Sequence, residues 1–187
     1  MFLKRQNPYA LAVSMTGVKM GDHIVQVGCV DGARLGAIAA KVGLSGRAVL
    51  VAPDEAAARR GRKGAEAAGV LVDVDLAPPT RLPPADGSFD LAIVDDTGGL
   101  LGGMRAEERV ASVRELARVL RPGGRVMIIG SAPRGGFGAL LSRAQSGPPF
   151  AASGEAVKSL EADGFRAVRH LAEREGLVFV EGVKPRE

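Results

Sequence analysis

Apolar positions along this chain follow two periods that take turns. The runs "HIVQV" (23–27), "RAVLVA" (47–52), "GVLVDVD" (69–75), "SFDLAIVDD" (88–96) and "RVMIIG" (125–130) have the length and branched content of buried strands. Between them the spacing becomes helical. "GARLGAIAAKVG" sets Leu35, Ile38, Ala39 and Val42 on one face, and Gly43 can end that helix. Asp54 is a good cap for a helix over "EAAARRGRKGAEAAG". The clearest helix lies in "RAEERVASVRELARVLRPGG", where Val110, Val113, Leu116, Ala117 and Leu120 make a buried stripe and Pro122 with two glycines makes the stop. A helix in "GEAVKSLEADGF" and two strands, "RAVRHL" and "GLVFVEG", finish the chain, and the short link "AEREG" predicts an antiparallel hairpin. Near the start, Asn7 and Pro8 form a cap and first-turn pair, which predicts a short helix from about Pro8 to Met15.

Alternating strands and helices imply an α/β fold with a doubly wound, mostly parallel sheet covered on both faces. The terminal hairpin brings the count to seven strands and makes one edge antiparallel. No repeat or break in composition marks a second domain, so residues 1–187 are expected to fold as one, with 1–20 as an N-terminal helical segment. In such sheets ligands bind beyond the carboxyl ends of the strands, where strand order reverses. Residues just after each strand are therefore the candidates for chemistry.

Composition narrows the classes. With 46% hydrophobic and 25% charged residues the chain is an ordinary soluble globular protein. Only 4% of residues are aromatic and Trp is absent, which argues against a stacking surface for nucleic acid. A net charge of +4 permits an anionic partner without arguing for one. One Cys cannot form an internal disulfide, and one Cys with two His argues against a dedicated zinc site. No secretory signal is expected in "MFLKRQNPYALAVSMTG", and no run approaches the roughly 20 apolar residues of a spanning helix, so a cytoplasmic location is expected. Oligomeric state leaves no sign.

The order of segments resembles the class I S-adenosylmethionine-dependent methyltransferases from about residue 20 to 183. The resemblance is carried by "ADGSFDLAIVDD", by "RELARVLRPGGRVMIIG" and by the closing "LEADGFRAVRHLAEREGLVFVEGVK". It implies a Rossmann-like methyltransferase fold and S-adenosylmethionine as cofactor. In that family the first strand ends with an acid and a G-x-G-x-G loop. In "HIVQVGCVDGARLG", Gly28 and Gly32 match the outer glycines, Gln26 stands for the acid and Val30 for the middle glycine, with Cys29 between. The family's ribose-binding acid at the end of strand two falls on Ala52, followed by Pro53, and Asp54 two residues on reads as a helix cap. Asp75 is the candidate for the adenine contact after strand three, and Asp95 for a cofactor contact after strand four. Without the two acids, contacts worth roughly 1.5 to 3 kcal/mol each are missing. A micromolar site has only about 8 kcal/mol in total, so affinity is expected near millimolar unless other contacts replace them.

Methyl transfer needs alignment and, for a protonated acceptor, a base. Asp95 and Asp96 are the candidate catalytic residues, as base or as ligand for a substrate amine; the other reading makes one a turn cap and the other a solvated carboxylate. Cys29 has no visible base beside it and reads as a packing residue. Arg59, Arg60, Arg62 and Lys63 read as a solvated helix face, with a phosphate-bearing partner as the alternative. The Gly- and Pro-rich stretch at 133–153 has two readings: a substrate cover, as the resemblance implies, with Arg134, Phe137 and Arg143 able to hold the substrate, or a plain connecting loop. The leading expectation is methyl transfer to a small-molecule acceptor. Its rival is a methyltransferase-like binding or scaffold protein without catalysis, suggested by Gln26, Val30 and Ala52. A nucleotide- or dinucleotide-binding oxidoreductase ranks last, because the G-x-G-x-x-G spacing and an acid after strand two are missing.

Overall fold

The computed structural model describes residues 8–132 and 149–187. Its elements are α1 (Ala10–Thr16), β1 (His23–Val27), α2 (Gly32–Ala39), β2 (Arg47–Ala52), α3 (Glu55–Ala68), β3 (Asp73–Leu76), β4 (Phe89–Asp96), α4 (Ala106–Val119), β5 (Leu120–Ser131), α5 (Glu155–Ala162), β6 (Arg166–Arg174) and β7 (Leu177–Val183). The seven strands form one sheet in the order β3-β2-β1-β4-β5-β7-β6. β3, β2, β1, β4 and β5 are parallel, and β7 runs antiparallel to β5 and β6. Strand order reverses between β1 and β4, so the fold places its crevice where the glycine turn leaves β1. No helix among the described residues is long and apolar enough to cross a membrane.

Buried apolar side chains gather on both faces of the sheet. Val25, Val49 and Val51 pack towards α4 and α5, whereas Ile24, Leu91, Ile93 and Phe179 pack towards α1 and α2. This is the period-two alternation of strands buried on both sides. Arg125 ties the N-terminal helix to the sheet by donating to Gly17 O (3.0 Å) and pairing with Glu181 (3.0 Å).

Helices α2 and α3 approach until their backbones touch. A Cβ on Gly64 would lie 1.9 Å from Gly32 O, and one on Gly32 would lie 2.0 Å from Arg60 O. Glycine in a helix costs about 0.5 to 1 kcal/mol relative to alanine. Its place here is explained by the close crossing.

Several expectations shift. Helix α1 begins at Ala10 with Tyr9 at the cap position, and Asn7 lies outside the described residues. Val110 is 38% exposed, and Ser112 takes its place in the buried stripe of α4 because its hydroxyl donates to Glu108 O at 2.9 Å. The strand predicted over 69–75 is confined to Asp73–Leu76, since at the sheet edge it has only β2 to pair with. β5 begins at Leu120, five residues early, because Leu120 pairs with Phe89 and the backbone of Gly123 and Gly124 bonds to Lys184. The hairpin turn tightens to Glu175 and Gly176, both with positive φ (55° and 75°), the conformation that matches strand twist.

Candidate active site

The turn after β1 is tied down group by group. Gly28 has φ 80°, a left-handed backbone that favours glycine, and its N–H donates to Val51 O at 3.0 Å. A Cβ there would lie 2.8 Å from Leu100 Cδ2 and 3.2 Å from Asp95 O. Buried Gln26 sends its Nε2 to Gly28 O (2.9 Å), so its amide braces the turn from below. Arg60 of α3 donates its Nε to Cys29 O (2.7 Å), which ties one exposed member of the basic cluster to the loop. Burial, followed by the charge of Asp95, pushes the Cys29 thiol up to about 11. That thiol stays protonated near neutral pH and is not a nucleophile. Asp31 caps α2 through the amides of Ala33 (3.0 Å) and Arg34 (3.2 Å). The Tyr9 hydroxyl reaches the same carboxylate, and burial together with Asp31 raises its pKa.

Asp95 and Asp96 leave β4 on opposite faces, as neighbours on a strand must. Asp95 is 1% exposed. Its Oδ2 accepts from Val30 N (2.8 Å), and its Oδ1 accepts from Arg34 Nη2 (2.8 Å), Thr97 Oγ1 (2.6 Å) and Thr97 N (3.3 Å). Burial acts to raise its pKa, but the Arg34 guanidinium and these hydrogen bonds outweigh it and hold the carboxyl below the ordinary range. A carboxylate so fully engaged is a poor proton acceptor and a good brace.

Asp96 is set differently. Its Oδ1 accepts from Leu101 N (2.6 Å) and Gly102 N (3.4 Å), fixing the start of the β4–α4 loop. Burial, with the Asp95 charge adding to it, pushes Asp96 up to about 6 despite those amides and the nearby Arg109. Arg109 itself lies over the Phe150 ring (4.9 Å to the centroid) and pairs with Glu155 (2.9 Å). A carboxylate poised near 6 and flanked by a cation suits proton transfer near neutral pH.

The end of β2 offers less. Ala52 is fully buried, its carbonyl accepts from Ala77 N (3.1 Å), and exposed Pro53 follows. Asp54 Oδ1 accepts from Ala57 N (2.7 Å), so it caps α3 as expected. Asp75 does not follow β3 but sits inside it, in register with Val51, because β3 starts late and runs on to Leu76. The residues that do follow are Ala77, Pro78 and Pro79, which carry no carboxylate. Arg134, Phe137 and Arg143 lie outside the described residues.

The fold thus brings Gln26, Gly28, Cys29, Val30 and Asp95 together and sets Ala52 and Pro53 alongside; Asp75 stays in its strand. Gly32 is pressed against α3, and its missing side chain serves the helix crossing. Arg34, Thr97, Arg60 and Tyr9 complete the constellation without a motif to announce them, though a lone Arg in an otherwise apolar helix face was a usable signal. A cavity of about 330 Å³ lies elsewhere, lined by Ala117, Pro122, Phe165 and Lys184 at the amino end of β5.

A family model described as "Methyltransferase domain" matches residues 24–124. Methyltransferase GfsG of Streptomyces halstedii is 33% identical over 118 residues, 63% of this chain and 41% of that protein. The ubiquinone/menaquinone biosynthesis C-methyltransferase UbiE of Hydrogenovibrio crunogenus is 28% identical over 120 residues, 63% of this chain and 45% of its own length. The chain thus spans less than half the length of these curated relatives. A crystal structure of a SAM-dependent methyltransferase from Aquifex aeolicus superposes with a TM-score of 0.73 at 20% identity, covering 94% of this chain and 89% of that one.

Proposed function

Since the chain belongs to the class I S-adenosylmethionine-dependent methyltransferase family, we propose that it transfers a methyl group to a small-molecule acceptor. S-adenosylmethionine is the cofactor of that family and supplies an electrophilic methyl group. The observation that supports the reading best is the rigid β1–α2 turn braced against Asp95, with Asp96 one residue further on along β4. In this reading the turn holds the cofactor and Asp96, at the adjoining strand end, is the base candidate. Asp96 then accepts the proton that an oxygen, nitrogen or carbon acceptor gives up when its bond to the methyl carbon forms. The small-molecule acceptor follows the relatives, among which UbiE is named for quinone biosynthesis.

The residues suit the cofactor in the shape of the turn, which Gly28 makes with its left-handed backbone, although the N–H and carbonyl of that buried glycine are bonded to Val51 O and Gln26 Nε2. They do not supply a side-chain carboxylate for the ribose hydroxyls at Ala52, nor one for the adenine after β3, where Ala77, Pro78 and Pro79 stand. Binding is therefore expected to be weak, with a Kd between about 10 μM and 1 mM for S-adenosylmethionine and its demethylated product by titration calorimetry. Failure of both ligands to bind at about 1 mM would overturn the proposal.

A second reading, a binding protein of this family without catalysis, is favoured by that missing carboxylate and by the Val30 amide already being taken by Asp95. Product binding without turnover of a panel of phenol, amine and enol acceptors is its expected signature. Methylation of any of them rules it out.

A further inference from the structure

The pair Arg34–Asp95 is nearly sealed from water, with side chains 8% and 1% exposed. Its two residues lie 61 positions apart, on the first turn of α2 and at the end of β4. Arg34 Nη2 reaches both Asp95 Oδ1 (2.8 Å) and Thr97 Oγ1 (3.1 Å), and Asp95 Oδ2 holds the Val30 amide (2.8 Å). Resting on the reading above, we infer that Arg34 is a positioning residue of the cofactor site, which acts through Asp95 to fix the β1–α2 turn against the end of β4.

The physical case has three parts. A carboxylate buried without a counter-charge takes up a proton or turns outward, and either change alters its grip on the Val30 amide. Val30 stands where the family has a glycine and is 47% exposed just beyond the carboxyl end of β1, so the direction of its amide decides where that branched side chain points. β4 also carries Asp96, so the tie sets the spacing between cofactor loop and base candidate. Buried ion pairs add little net stability, and replacing both partners with apolar residues is often neutral, whereas removing one is severe. Positioning, more than stability, is what the pair contributes.

That asymmetry separates a positioning role from a merely structural one. The double variant Arg34→Met with Asp95→Leu removes both charges together and is expected to stay folded, melting within about 5 °C of wild type. It should nonetheless bind S-adenosylhomocysteine at least about tenfold more weakly, and its Val30 amide should exchange with solvent at least about tenfold faster. Arg34→Lys is the milder probe, because it keeps the charge and loses the planar guanidinium that aims Nη2 at both Asp95 and Thr97. It should weaken binding about two- to fivefold at unchanged melting temperature. Wild-type affinity and wild-type Val30 exchange in either folded variant would overturn the inference. A wild-type protein that binds neither ligand would overturn the proposed function instead. In Arg34→Lys, which leaves the Asp95 acceptor of the Val30 amide in place, Val30 exchange at least about twofold faster than wild type would still show, without ligand, that Arg34 holds the loop, and wild-type exchange would show that it does not.

Discussion

Asp96→Asn is expected to lower the methyl-transfer rate by about two to four orders of magnitude, the usual contribution of a positioned base. The substitution is nearly isosteric and leaves an oxygen to accept from Leu101 N and Gly102 N, so the β4–α4 loop should keep its shape. In the native protein the rate should fall as pH drops through about 6, where Asp96 takes up a proton. Stability should move the other way. An aspartate titrates near 3.9 when unfolded, and burial holds the folded group near 6, so the folded state binds this proton more tightly. The contribution is favourable below about pH 4 and is lost as pH rises through 6. The penalty at pH 8 is on the order of 3 kcal/mol, and asparagine escapes it. The variant should therefore melt about 8 °C higher at pH 8 while being far less active. Retention of more than about a tenth of the native rate would remove Asp96 from the role of base.

Gly64→Val is expected to have the largest effect on the fold. Even a methyl group at this position would sit 1.9 Å from Gly32 O and 2.1 Å from Gly32 C, and neither backbone atom can yield without moving α2. Separating the helices would also pull Arg60 from Cys29 O and disturb the turn at its far end. The loss should be about 3 kcal/mol or more by urea unfolding, at the upper end of overpacking effects. Gly69→Ala is the control. Gly69 has φ 66° but open space around it, so alanine there should cost only about 1 to 2 kcal/mol. Equal losses in the two variants would contradict the close-crossing account of α2 and α3.

The sheet was legible because its strands are buried on both faces and read as short continuous apolar runs. "HIVQV" and "SFDLAIVDD" became β1 and β4 with little change. The strand over 69–75 was misplaced because "GVLV" is apolar yet Leu71 is 92% exposed. An edge strand needs fewer apolar residues than its neighbours, and period alone cannot locate its start. The turn after β1 was marked by its glycines, but the pairings inside it were not. Gly32 looked like a cofactor glycine, and its partner Gly64 was hidden in a run of Arg and Lys that read as a solvated face. Asp95 looked like a base candidate until Arg34, 61 residues away, was seen to hold it. Local pattern reports which groups leave a strand end; long-range pairing decides what each is free to do.

The central claim, that S-adenosylmethionine and its product occupy the crevice beside the β1–α2 turn, is tested most directly by following backbone amide resonances while S-adenosylhomocysteine is added to the ¹⁵N-labelled protein. The account predicts saturable shifts at Gly28, Cys29, Val30 and Asp31, at Ala52 and Asp54, and at Asp95 to Thr97, with half-saturation below about 1 mM. Shifts confined to Phe165, Lys184 and their neighbours at the opposite end of the sheet, or none at all, would contradict it.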